Sequence, residues 1–249
     1  METKFEQVSH LARHLSLTGL EAKLDELLNR AAEEQSSFLD FALKLLSTEV
    51  DHRNYQNLVK RLKLASLPIT HDLQQWEDEP QNGISRQQLS QLQECLWLEQ
   101  NFNLILMGPS GSGKTFLAAG LCFEALQKGY KACFRTMDRL NYILKMKDIT
   151  RSAAREYDHL TKVNLLVIDD IMMFPMEKKQ AVALFNLVDY LHQRASMIIT
   201  TNKSPDEWAK VLDDEVLTTA ILDRLLFKCE IIKLKRTSYR LDHRQAIFS

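Results

Sequence analysis

The octapeptide Gly108-Pro109-Ser110-Gly111-Ser112-Gly113-Lys114-Thr115 constrains this chain more than any other feature. It matches G-x-x-x-x-G-K-[ST] in full, a pattern whose chemistry needs a strand before it and a helix after it. The glycines let backbone N–H groups turn inward around a phosphate, where a Cβ would clash or force an unfavourable φ. Lys114 sets a cation against the outer phosphates, and Thr115 offers a hydroxyl to Mg²⁺. A helix running from Thr115 to about Leu126 points its positive end at the anion. With Phe116 added, the segment Gly108–Phe116 is the candidate site for a nucleoside triphosphate and its Mg²⁺.

The surroundings fit that requirement. Short apolar runs at Asn103–Met107, Lys131–Arg135, Leu165–Asp169, Met197–Thr201 and Cys229–Ile232 alternate with amphipathic helices from residue 103 onward. That alternation predicts an α/β fold with a five-stranded parallel sheet. Leu165-Leu166-Val167-Ile168-Asp169-Asp170 delivers two carboxylates at the C-terminal end of a strand, where α/β sheets place their ligands. Asp169 is the candidate metal ligand beside Thr115, and Asp170 is placed to orient or deprotonate an attacking water. Together the two motifs predict a nucleoside triphosphatase.

The first hundred residues read differently. Thr18 and Glu21 carry the spacing of a capping box ahead of Leu20, Leu24, Leu27 and Leu28, which mark one face of a helix ending near Glu34. Ser37 and Asp40 repeat the signal before a stripe of Phe38, Phe41, Leu45 and Leu46, on a helix that runs on through Leu58 and Leu62 and stops before Pro68. The chain divides on this reading into a helical domain over 1–66, a connector over 67–84 and an ATPase domain over 85–249. Trp76 is placed to pack the connector on the ATPase domain or to line a base pocket. Ser85 and Gln88 open a further helix through Leu89, Leu92 and Leu96, and Ser204-Pro205-Asp206-Glu207 starts another.

Composition narrows the class. A chain of 249 residues with 45% hydrophobic and 26% charged residues is a folded protein, not a disordered one. Charged and polar residues break the first twenty positions, and no apolar run approaches the ~18 residues of a membrane span. A cytoplasmic protein is expected. Cysteines 95, 122, 133 and 229 are too scattered for a disulfide framework or a zinc site. The charge is split: residues 1–100 hold 10 Lys and Arg against 16 Asp and Glu, a balance of −6, whereas the remainder holds 22 against 17, a balance of +5. An acidic front and a basic back fit a protein partner and a polyanion respectively.

Two more positions complete the chemistry. Asn202 ends Thr200-Thr201-Asn202 at the close of a strand, within reach of a γ-phosphate or of the water held by Asp170. Arg224, in Asp223-Arg224-Leu225-Leu226, is the side-chain type that stabilises a transferring phosphoryl group from a neighbouring subunit; its bland alternative is a surface ion pair with Asp223 or Glu215.

The ordered set of these motifs resembles the AAA+ ATPases of the initiator and helicase-loader branch. Within that branch the chain resembles the IstB-type transposition helpers, on Ser37-Phe38-Leu39-Asp40-Phe41, on Glu49 through Leu64 with Lys60-Arg61-Leu62-Lys63, and on Ser238-Tyr239-Arg240. The resemblance covers nearly the whole chain. It implies an ASCE sheet with the asparagine strand between the two motif strands. Lys114, Asp170, Asn202 and Arg224 would be catalytic, with Asn202 as sensor 1 and Arg224 as a trans arginine finger, and Thr115 and Asp169 would bind Mg²⁺. It also implies homo-oligomers on duplex DNA without strong sequence preference, DNA bending, and presentation of the target to an IstA-type transposase. The chain departs from the family pattern at Asp170, where glutamate is usual, which points to slow turnover. It departs again at the C-terminus, where the 16 residues after Lys233 span ~24 Å even if wholly helical, too little for a helical lid. Arg240 is left either to substitute in part for a lid-borne sensor-2 arginine or, as the favoured reading, to cap or pack the last helix.

DNA contacts have three candidate sources. Arg139, Lys145, Lys147, Arg151 and Arg155 lie between the second and third strands, in an insert that would face the channel of a ring or spiral. The others are Lys60, Arg61 and Lys63, and Lys233, Lys235, Arg236, Arg240 and Arg244. Phosphate contacts from the insert, the favoured source, would give salt-dependent binding with little base preference; the bland alternative is a solvated helix face. His10 and His14 lack the glutamate of a zinc-hydrolase helix, and Met172, Met173 and Met176 read as core or interface filling. A DnaC-type replicative helicase loader that binds single strands stays open on sequence; a small-molecule P-loop kinase is disfavoured, because Asn202 and Arg224 fit an assembly and no acceptor site is visible.

Overall fold

A computed structural model describes residues 3–76, 83–172, 176–212 and 214–235. The chain falls into two compact units, Met1–Lys60 and Arg61–Ser249.

The first unit is helical. Helix α1 (Lys4–His14) starts with a capping box between Thr3 and Glu6; α2 (Thr18–Glu33) follows, and α3 (Phe38–Ala65) begins here and ends in the second unit. Among the described residues, Ala12, Leu24 and Leu27 are its buried apolar side chains. The start of α2 differs from the sequence expectation. Thr18 lies inside the helix and Leu17 holds the cap position, with no side-chain cap of its own. The cap comes instead from Glu49 on α3, whose Oε2 accepts from the N–H groups of Gly19 at 2.8 Å and Leu20 at 3.0 Å. Glu49 Oε1 accepts from Arg53 Nε at 2.7 Å, and Arg53 also reaches the Ser16 carbonyl. Gly19 is required there, because a Cβ would run into the His52 side chain. Glu21, freed from capping, pairs with Arg13.

Ser37 and Asp40 do bond each other at the start of α3. The apolar stripe behind them is not a buried face, however: Phe38 is 96% exposed and Leu46 67%. Helix α3 is 28 residues long, ~42 Å, against ~24 Å for the 16 residues of α2, so neither neighbour can cover its length.

In the second unit the sheet comprises β1 (Asn103–Met107), β2 (Ala132–Thr136), β3 (Leu165–Asp169), β4 (Ser196–Thr201) and β5 (Cys229–Lys233), all paired in parallel in the order β2-β3-β4-β1-β5. Strand β4 stands between β1 and β3, as the family resemblance implies. Every residue of β3 and β4 is buried, including the aliphatic runs Leu165–Ile168 and Met197–Ile199 and the polar ends Asp169, Thr200 and Thr201. The second strand sits one residue later than expected, because Thr136 pairs with Asp169 while Lys131 remains in the turn.

The crossovers are α5 (Lys114–Gln127), the pair α6 (Met137–Met146) and α7 (Arg151–Leu160), α8 (Lys178–Leu191), and the pair α9 (Pro205–Leu212) and α10 (Glu215–Leu226). Leu140, Ile143, Leu166, Ile168, Leu184, Leu187, Ile199 and Ile221 belong to the continuous core on one side of the sheet. Ahead of β1, a 3-10 turn at Leu73–Gln75 packs Leu73 over Gly120 of α5. Helix α4 (Arg86–Gln93) has the expected Ser85–Gln88 box but stops at Gln93, short of Leu96, because Cys95 turns left-handed with φ 60°. Residues 236–249, which carry Arg236, Ser238-Tyr239-Arg240 and Arg244 and bear on the expected lack of a lid, lie outside the described residues, as does Met173.

Candidate nucleotide site

The turn from β1 into α5 follows the motif. Gly113 takes the position before the helix with φ +94°, a conformation only glycine adopts freely, and a Cβ there would lie 3.2 Å from the Trp76 ring. Lys114, almost fully buried, folds back so that Nζ donates to the carbonyls of Gly108 and Pro109, each at 2.8 Å. Ser112 Oγ is buried with no hydrogen-bond partner among the described residues. A cationic loop with an orphaned buried hydroxyl fits a polyphosphate, since anionic oxygens satisfy both. Pro109 and Ser110 are exposed and Gly108, Gly111 and Thr115 half-buried along the same loop. Phe116 stacks on Trp76 with ring centroids 6.1 Å apart and planes 15° from parallel, so the connector does pack on this domain, beside the loop.

Asp169 ends β3 and is 4% exposed. Oδ1 accepts from Thr115 Oγ1 at 3.0 Å and from Thr200 Oγ1 at 2.6 Å. Burial pushes this carboxyl above its usual range; the Thr200 bond opposes the shift, the Asp170 charge adds to it, and Thr115 and Lys114 oppose it again. An aspartate held this way gains from a cation beside it, and Thr115 and Asp169 supply the hard oxygen donors that Mg²⁺ prefers. Asp170 sits exposed in a left-handed turn with φ 57°, its N–H donating to Thr200 Oγ1 at 2.8 Å. One hydroxyl thus joins both aspartates.

Asn202 lies exposed immediately past β4, between the ends of β1 and β3. Lys114, Thr115, Asp169, Asp170 and Asn202 therefore converge at the C-terminal edge of the sheet. Arg224 does not. It sits at the end of α10, where the next carbonyl, Leu225, accepts from Asn103 Nδ2 at the start of β1. The length of β1, ~13 Å for four steps, separates that edge from the phosphate loop. Arg224 pairs with Asp189 at 2.9 Å and more loosely with Asp223 at 3.5 Å, and not with Glu215.

The insert forms α6, α7 and the turn between them. Arg139 is ion-paired to Glu156 and lies over the Tyr142 ring, while Lys147 pairs with Asp148 and lies over Tyr157. Lys145, Arg151 and Arg155 are exposed and have no partner among the described residues. Lys63, Lys233 and Lys235 are exposed as well, whereas Arg61 keeps a buried Nε. His10 and His14 are exposed on α1; Met172 is buried and Met176 packs against the core.

Sequence reasoning passed over two residues. Thr200 reads in the sequence only as a strand residue beside Asn202, and with Ser196 and Thr201 in the same buried strand its hydroxyl does not stand out. Arg135, read as part of an apolar strand, is 5% exposed; it pairs with Glu156 and donates to the carbonyls of Leu64 and Ala65 at the end of α3.

A family model described as IstB-like ATP binding protein matches residues 10–246. An insertion sequence IS21-like ATP-binding protein of Bacteroides fragilis is 42% identical over 96% of this chain and 90% of its own. An IS21 ATP-binding protein of Pseudomonas aeruginosa is 33% identical over 94% and 89%. Among solved structures, AMPPCP-bound DnaA from Aquifex aeolicus aligns with TM-score 0.56 and 17% identity over 68% of this chain and 51% of that one. The DnaC helicase loader aligns with TM-score 0.55 and 19% identity over 67% and 98%. These two likenesses establish the AAA+ fold.

Proposed function

The chain belongs to the IstB-like ATP-binding family of insertion sequences, and on that premise we propose that it is an assembly-dependent ATPase that binds duplex target DNA, deforms it and presents it to a partner transposase in the cytoplasm. The observation that carries the reading is the separation of Arg224 from Lys114 by the whole length of β1. A phosphate-stabilising arginine at that edge serves the site of a second copy.

Bound ATP with Mg²⁺ supplies the scissile phosphoanhydride and neutralises part of its charge. The backbone N–H groups from Gly111 to Thr115 orient the phosphates, and Lys114 exchanges its two loop carbonyls for phosphate oxygens. Thr115 and Asp169 would hold the Mg²⁺. Asp170 orients the attacking water and takes its proton, Asn202 fixes that water against the outer phosphate, and a neighbour's Arg224 offsets the charge developed on transfer. The short Asp170 side chain makes turnover slow, which suits a timer. The exposed Lys145, Arg151 and Arg155 contact DNA phosphates.

The test is fluorescence anisotropy on matched duplex and single-stranded oligonucleotides, without nucleotide, with ADP, and with ATP and Mg²⁺, over a range of salt. ATP-dependent binding that favours duplex and ignores sequence is the expected result. Preference for single strands replaces this reading with a helicase loader, and no binding to either removes the DNA role.

A further inference from the structure

Helix α8 turns one face toward Arg224. Phe185, Asp189 and His192 follow one another at four and three residues, the spacing that aligns side chains along a helix and just past its end. Each touches a different part of the arginine. The guanidinium carbon lies 5.1 Å over the Phe185 ring, Nε donates to Asp189 Oδ1 at 2.9 Å, and the Arg224 carbonyl lies 3.1 Å from His192 Nδ1. Within α10, Nη1 donates to the Ala220 carbonyl at 3.2 Å and lies 3.5 Å from Asp223. Nη2 has no hydrogen bond among the described residues.

A free arginine spends most of its time in other rotamers, and each contact on its stem reduces what must be fixed when a phosphate arrives. Binding at Nε by a carboxylate leaves the terminal edge to face outward. A cavity of ≈ 350 Å³, lined by Asn101, Asn103, His192, Lys228 and Arg224 among others, opens beside it. We propose that the Phe185–Asp189–His192 face of α8 is a positioning cradle for Arg224, in which Asp189 fixes the guanidinium for the phosphates of a second copy of this chain. Asp189 acts through Arg224 and touches no substrate itself. The inference rests on the trans role of Arg224 proposed above.

Steady-state ATPase of the full chain, assembled on duplex DNA, tests it. Asp189→Ala lowers kcat about tenfold with KM for ATP unchanged, because the arginine is misplaced while nucleotide binding is not. Asp189→Asn retains most of the rate, since its amide oxygen still accepts from Nε. In an Arg224→Ala background, Asp189→Ala has no further effect. Asp189 is 51% exposed, so the variant folds; Phe185→Leu, which removes the ring, lowers kcat in the same direction and supplies a second reading. An Asp189→Ala enzyme that turns over at the native rate, or faster, overturns the cradle alone. Native turnover by Arg224→Ala overturns the trans arginine and the cradle with it.

Discussion

The hydroxyl of Thr200 donates to Asp169 at 2.6 Å, and neither residue exposes more than 4% of its surface. The same oxygen accepts the N–H of Asp170, so one β4 side chain sets the posture of the proposed metal ligand and of the residue after it. Replacing Thr200 with valine keeps the shape and removes both bonds. We expect a stability loss of about 1–3 kcal/mol in urea unfolding, together with a higher Mg²⁺ requirement for ATP turnover. Thr200→Ser recovers most of both.

Asp169→Asn separates stability from function. Burial holds the native carboxyl above its unfolded range, so the folded chain binds this proton more tightly than the unfolded one. The group therefore opposes folding once pH exceeds its folded-state value, and stops opposing it as pH falls below the unfolded value. The amide carries no such burden. At neutral pH without nucleotide, Asp169→Asn unfolds at higher urea than the native chain, while Mg²⁺-dependent ATP turnover is lost.

The Glu49 cap predicts the opposite pH behaviour in the helical unit. Burial pushes its carboxyl up, but bonds from Arg53, Leu20 and Gly19 outweigh that and hold it below the usual range. Its contribution is complete above the unfolded carboxylate pKa and disappears as pH falls through the lower folded value. Glu49→Ala leaves two N–H groups of α2 unpaired and costs about 2 kcal/mol at neutral pH. Hydrogen exchange at Gly19 and Leu20 is the local readout, and the gap between variant and native chain closes in acid.

Counterion release separates the cations of the insert. Changing Lys145, Arg151 and Arg155 together to alanine reduces the slope of log affinity against log salt by about 2 to 3 for duplex DNA. Arg139→Ala and Lys147→Ala flatten it less, because each cation already has an acidic partner. Equal slopes in the triple variant and the native chain would move the DNA contact off the insert.

Much of this was legible because the information is local. Three of five strands begin where the apolar runs begin, and the Ser85–Gln88 box is visible from spacing alone. What escaped depends on partners far away in sequence. The Thr18–Glu21 pattern is sound as a motif, yet the acceptor for α2 comes from Glu49, thirty residues on. Asp223 and Glu215 were the ion-pair candidates for Arg224 because they lie near it in the chain; Asp189, on another helix, holds the shorter contact. The five basic residues of the insert looked equivalent until the pairing of α6 and α7 gave Arg139 a carboxylate in Glu156. Linear spacing carries no information of that kind.

The distance between Lys114 and Arg224 has an arithmetic consequence. If Arg224 serves the site of a second copy, as proposed, each copy brings the front of one reaction centre and the back of another, and no copy owns a complete one. In an open row, the last member holds a nucleotide that nothing completes, and the working centres number one fewer than the copies. Closing the row, or abutting its end against a foreign protein that supplies a cation, wakes the idle member. Turnover would then report on the ends of the assembly, and the clock would start where growth stops.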